Sequence, residues 1–134
     1  MPRLSEHAGP SQRPAFFLAA LLGGAGIMHF AKPKSFDTSV PKELPGSQRM
    51  WTQVSGVAEL GLATAVALPR TRKLAGLVIA LFFVGVFPAN VKMALDAQRK
   101  GRPARERLAM WARLPVQWPL VAWALRVRDD APKV

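Results

Sequence analysis

Residues 74–91 read LAGLVIALFFVGVFPANV, eighteen positions without a charge. A helix of that length rises about 27 Å, close to the depth of a bilayer's hydrocarbon core. Upstream, residues 15–31 (AFFLAALLGGAGIMHFA) form a second uncharged run. Two further stretches join them. Residues 51–68 (WTQVSGVAELGLATAVAL) carry a single carboxylate, Glu59. Residues 114–127 (LPVQWPLVAWALRV) are shorter in apolar content and need Arg126 to reach toward head groups. A water-soluble four-helix bundle would show a polar stripe every 3.6 residues along each helix. That stripe is missing, and small residues that let membrane helices approach closely stand in its place: Gly23, Gly24, Gly26, Gly56, Gly61, Gly76 and Gly85. Mean hydropathy, +0.12, does not separate the two classes; the positions of the apolar residues do. The pattern therefore predicts an all-α fold. It is an integral membrane, up-and-down four-helix bundle forming one domain over residues 1–134, with spans at about 15–31, 51–68, 74–91 and 114–127. A short amphipathic interfacial helix, ARERLAMWAR at 104–113, precedes the fourth span. The polar residues before the first run, and the lack of a small-x-small site after it, favour a genuine first helix over a signal sequence.

The formal charge of +11 arises from 19 Lys and Arg against 8 Asp and Glu. In a soluble domain it would suggest nucleic acid. Here the basic residues fall between the apolar runs, where they meet anionic lipid head groups, so membrane lipids and not nucleic acid are the expected partners. The count is 4 + 7 = 11 basic residues beside loops one and three and 2 + 3 + 3 = 8 on the other face, which leaves the cytoplasmic side open. Cysteine is absent, which removes disulfides, thiol redox centres and cysteine-held iron–sulfur or zinc sites. No metal site is expected. A haem held by His7 and His29 is excluded by placement, because they flank opposite ends of the first run.

In an up-and-down arrangement the polar residues of the runs gather toward one face: His29, Gln53, Ser55, Glu59, Asn90 and Gln117. The other half holds Thr64 and aliphatic side chains. Glu59 is the deepest, about 12 Å along the helix from Trp51, and a carboxylate at such depth needs a partner, a bundle interior or a water-filled cavity. Ser55, four residues before it, shares its helix face, and His29 and Asn90 are further candidate partners. Glu59 is thus either a hydrogen-bond pin between helices or part of a ligand or proton site. Pro88 frees the carbonyl of Val84, and Pro115 and Pro119 interrupt the start of the fourth span. The loop at 32–50, with Pro33, Pro41 and Pro45 beside Phe36, Val40 and Leu44, is too apolar for a solvated linker and is expected to fold back as a lid.

The strings GIMHFAKPKSF (26–36), VPKELP (40–45), SGVAELGLATAVALPRTRKLAG (55–76) and VFPANVKMALD (86–96) resemble the DoxX-like small membrane proteins. The resemblance implies a multi-pass, four-helix protein of the bacterial inner (plasma) membrane. It places the family's characteristic positions at His29, Phe30, Pro33, Ser55, Gly56, Glu59, Pro88, Ala89 and Asn90. The family takes its name from likeness to a subunit of a thiosulfate and quinone oxidoreductase, and some members are linked to membrane redox complexes. The lack of cysteine removes a thiol-based version of that role.

Two functions follow. The first is a small binding or accessory subunit rather than an enzyme. In it His29, Ser55, Glu59, Asn90 and Gln117 line a polar vestibule for a quinone, a lipid or a partner helix, with Pro33, Phe36, Gly56 and Pro88 shaping it, and a membrane-protein partner or a second copy beside it. The alternative is a membrane oxidoreductase component in which Glu59 and His29 pass protons to a bound quinone.

Overall fold

The computed structural model describes residues 9–38, 40 and 42–134. Helix α1 (Arg13–Ala31) begins with a proline in its first turn, where the missing N–H costs nothing, and stops at Lys32 because the residue before Pro33 disfavours helical backbone. Pro33 then opens the single-turn helix α2 (Pro33–Asp37). Helix α3 (Gln48–Ala67) starts behind Ser47, whose hydroxyl accepts from the Met50 N–H at 3.0 Å, and ends before Pro69. Helices α4 (Arg72–Arg99) and α5 (Ala104–Asp130) form a hairpin. Their turn closes with the Arg102 N–H on the Ala97 carbonyl and the Gly101 N–H on that of Gln98. The described residues are all helix and connection, without strands.

Each apolar run lies within a helix, save that Leu68 is the residue after α3, and one expectation needs correction. The interfacial helix at 104–113 and the fourth span are one continuous helix, α5, which passes through Pro115 and Pro119. The two rings sit four residues apart on the exposed face, so each removes one ladder bond without colliding with a packed neighbour. Among the described residues, α1 and α4 are long and apolar enough to cross a membrane, two of the four expected spans. Helix α4 also continues eight residues past the run at 74–91.

Helix α1 packs along α3 and α4 along α5, and the pairs join where α3 meets α4 and α1 meets α5. Glycine makes both close approaches possible. A Cβ on Gly56 would stand 2.8 Å from that of His29, and one on Gly76 would stand 2.9 Å from the Arg128 backbone nitrogen. The apolar core gathers in the half of the molecule beside the α3–α4 turn: Leu18 and Leu22 of α1, Val66 of α3, Ile79 and Phe83 of α4, Val127 of α5.

That half is not purely aliphatic, as the sequence had suggested. Arg72 is buried there and donates to the carbonyls of Val66 (2.8 Å) and Ala67 (2.7 Å) and to Oε1 of Gln12 (2.8 Å). With Leu68 N–H on Thr64 and the Thr71 hydroxyl on Ala65, all four terminal carbonyls of α3 find donors. A guanidinium also suits the negative end of a helix dipole. Gln12 passes the contact on by donating to the Asp130 carbonyl at 2.7 Å, and Trp123 donates to that of Pro14 at 2.9 Å.

Candidate functional site

On α3 the buried positions are Thr52, Gly56, Glu59, Ala63 and Val66, spaced four, three, four and three residues apart, so they form the single face turned to α1. Glu59 therefore points inward, opposite His29, because α1 and α3 touch through Gly26 and Gly56. Both side chains are buried. Nδ1 of His29 lies 2.7 Å from the carbonyl oxygen of Ala25 and 3.5 Å from Oε2 of Glu59. A carbonyl can only accept, so Nδ1 carries a proton directed at Ala25, and 3.5 Å is too long for a second full bond to Glu59. Oε2 of Glu59 consequently has no hydrogen-bond partner among the described residues. The pair is adjacent but unfinished.

The strap over this pair is α2. Phe36 stacks on the imidazole of His29, with ring centroids 3.8 Å apart and planes 20° from parallel. Asp37, next along, accepts from the Thr52 hydroxyl at 2.6 Å and from Nε of Arg49 at 3.0 Å. Those bonds, Arg49's first and Thr52's second, hold its carboxyl below the usual carboxylate range. The expected lid thus exists in part. Pro33 starts it and Phe36 and Asp37 fasten it, while Leu44 is 40% exposed and Pro41 lies outside the described residues, as does His7. Sequence reasoning passed over Asp37, Arg49 and Thr52; the four-and-three spacing that puts Thr52 on the Glu59 face was the available signal.

The remaining candidates form a separate group on the other helix pair. Gln117 of α5 accepts from Nδ2 of Asn90 at 2.8 Å and donates to the Phe83 carbonyl at 2.7 Å. That carbonyl neighbours the one freed by Pro88, so the side chain bridges the helix where proline weakens the ladder. Asn90 and Gln117 are satisfied by each other and by backbone, and they form no bond to Glu59 or His29. Ser55 is half-buried and does not bond Glu59, and Gln53 is exposed. The six polar residues therefore divide into an α1–α3 group and an α4–α5 group.

Open space lies elsewhere. Two adjoining clefts share Thr38, Asp96 and Lys100: one of about 680 Å³ lies between residues 38–48 and the C-terminal part of α4, and one of about 400 Å³ between α2, the end of α4 and the start of α5. Pro88 borders the larger one; His29, Ser55, Glu59, Asn90 and Gln117 line neither.

Residues 18–128 match the family model of a domain of unknown function, DUF8561. No curated protein and no solved structure matches the chain. The family match overturns the DoxX-like resemblance. What that resemblance rested on, short glycine, proline and alanine strings around His29, Glu59 and Asn90, is composition that close helix packing and helix ends demand in many helical proteins.

Proposed function

The chain belongs to the DUF8561 family, and from its geometry we propose that it is a small multi-pass membrane protein acting as a binding or accessory subunit, with the Glu59–His29 pair under the α2 strap as its recognition element. The observation that carries this reading is the buried, unpartnered Oε2 of Glu59. A buried carboxylate lacking a donor is costly, and such groups persist chiefly where a partner or ligand completes them.

The membrane setting is supported by the outer surface. Phe17, Val57, Leu74 and Leu81 are each more than 60% exposed, on three different helices, and Trp118 of α5 is 53% exposed. Apolar residues facing outward on all four long helices suit lipid better than water. The helix pairings, α1 with α3 and α4 with α5, support reading it as an up-and-down bundle. The pair's chemistry also narrows its occupant. An ionised carboxylate only accepts, so it takes a hydroxyl or N–H: a quinol, a lipid hydroxyl or a side chain of a partner helix. An oxidised quinone, itself an acceptor, would require the carboxyl to be protonated.

Purification in mild detergent followed by extraction, chromatography and mass spectrometry of bound molecules and proteins tests the proposal. One hydroxyl-bearing lipid or quinol, or one partner protein, is expected to accompany the wild type and to be lost from Glu59→Ala. Recovery of the same bulk lipid alone from both would overturn it.

A further inference from the structure

The two clefts lie apart from the Glu59 pair and have a chemistry of their own. Their walls carry Lys34, Lys42, Lys92, Arg99, Lys100 and Arg102 against three acids, Glu43, Asp96 and Glu106. Two of those acids are already engaged: Asp96 with Lys92 at 2.6 Å, and Glu106 with Arg102 at 3.8 Å. Lys34, Lys42, Arg99 and Lys100 remain, facing one further carboxylate, Glu43, and none of the four forms an ion pair among the described residues. The Lys92 ammonium, with Lys100 and Arg99 behind it, holds the Asp96 carboxyl below the usual carboxylate range, so that acid stays ionised and the clefts stay cationic in excess. A phosphate is the anion such a surface fits.

What selects among phosphates is the floor. Pro88, Val91 and Leu95 line the larger cleft. With Leu81 and Val84 they continue along α4 at steps of three, four, three and four residues, which is one helix face. Leu81, Val84 and Leu95 are exposed along it. The stripe runs from the cationic cleft straight into the most apolar part of the longest helix. The eight residues of α4 beyond position 91 rise about 12 Å, so the cleft stands at head-group height when residues 74–91 fill the hydrocarbon. A free phosphate would use the cations and ignore the stripe; an amphiphile uses both.

We propose that the larger cleft, between residues 38–48 and the C-terminal part of α4, is a binding site for one anionic phospholipid, its phosphate among Lys42, Arg99 and Lys100 and an acyl chain along Leu95, Val91, Pro88, Val84 and Leu81. The site rests on the membrane reading above and is independent of Glu59. Its role is to fix the depth and rotation of the α4–α5 hairpin in the bilayer.

Native mass spectrometry of the full chain, released from vesicles of three parts phosphatidylcholine to one part phosphatidylglycerol, tests it. The wild type is expected to retain one phosphatidylglycerol in preference to phosphatidylcholine. Arg99→Gln with Lys100→Gln is expected to reduce that preference about thirtyfold, as two basic residues near an anionic surface would. Leu95→Gln is expected to weaken retention without restoring phosphatidylcholine. Both cations are exposed, so circular dichroism of the double variant should match the wild type. Equal retention of the two lipids, or an unchanged preference in the double variant, overturns the site. Displacement of the lipid by glycerol 3-phosphate at equal concentration overturns the lipid assignment in favour of a soluble phosphate. Alkaline washing that strips the chain from vesicles overturns the membrane reading and the site together, whereas retention without lipid preference overturns the site alone.

Discussion

Arg72 and Glu59 are two buried charges of opposite sign in opposite halves of the molecule, and their surroundings differ in a way that separates structure from function. Arg72 meets two terminal carbonyls of α3 and the Gln12 amide, so its burial completes a helix end. Glu59 meets a histidine whose nearer proton is already directed at Ala25, and one of its oxygens is left without a donor. A charge that satisfies its neighbours is explained by the fold. A charge that the fold leaves incomplete is what the proposed recognition role rests on.

The comparison breaks most readily at Arg72. Arg72→Met should leave the Val66 and Ala67 carbonyls and Gln12 without their donor, a loss of about 3 kcal/mol at the usual cost of stranded buried acceptors, read as a fall in the thermal midpoint in detergent. Arg72→Lys should recover only part of it, because one ammonium cannot reproduce the fork. A melting profile unchanged by Arg72→Met would remove the contrast.

Gln117 provides the intermediate case, a neutral polar group that is buried and satisfied. Gln117→Leu should strand the Phe83 carbonyl and Asn90 and lower stability by about 1 kcal/mol, the scale of interhelical hydrogen bonds in membrane proteins. Glu59→Leu should behave differently from both. Since Oε2 of Glu59 has no hydrogen-bond partner among the described residues, replacing Glu59 by an apolar side chain of similar volume should leave the midpoint within about 0.5 kcal/mol of the wild type or raise it, while abolishing retention of the ligand or partner. A clear destabilisation by Glu59→Leu, together with a wild-type profile for Glu59→Gln, would make Glu59 a helix pin after all.

Why the sequence exposed one of these charges and concealed the other is a matter of place. Glu59 interrupts an apolar run, so its cost is visible from its neighbours alone, and the period along 52, 56, 59, 63 and 66 already turns it toward a packed face. Arg72 lies in the string PRTRK between two runs, where basic residues ordinarily meet solvent or head groups. Only the angle at which α4 leaves α3 folds it back onto the α3 carbonyls. The same limit explains the site. Local spacing placed His29, Glu59, Asn90 and Gln117 at one end, but which helices pair is decided by the close approaches at Gly56 and Gly76, and those divide the group in two. Prolines 115 and 119 misled in the other direction, since a proline's effect depends on whether its ring faces a neighbour or open surroundings.

The smallest expected effect concerns the strap, which distinguishes the two charges again: Arg72 is sealed by backbone, whereas the histidine facing Glu59 is covered by a single helical turn that one carboxylate fastens. Asp37 holds α2 to α3 through Arg49 and Thr52, and its carboxyl sits below the ordinary value of about 3.9. A depressed carboxylate contributes to closure above its ordinary value, and the contribution is lost as pH falls through the lowered one. The strap should therefore stay fastened from neutral pH down to about 4 and loosen only below it. Hydrogen exchange of the peptide covering 33–37, corrected for the pH dependence of the intrinsic rate, should show that loosening. Asp37→Asn should give the loosened behaviour already at pH 6 and remove the acid step, with little change in the global midpoint. If Asp37→Asn left both the pH 6 exchange and the acid step as they are in the wild type, the fastening would have to reside in the stacking of Phe36 on His29 alone, and the cover on His29 would no longer depend on a carboxylate.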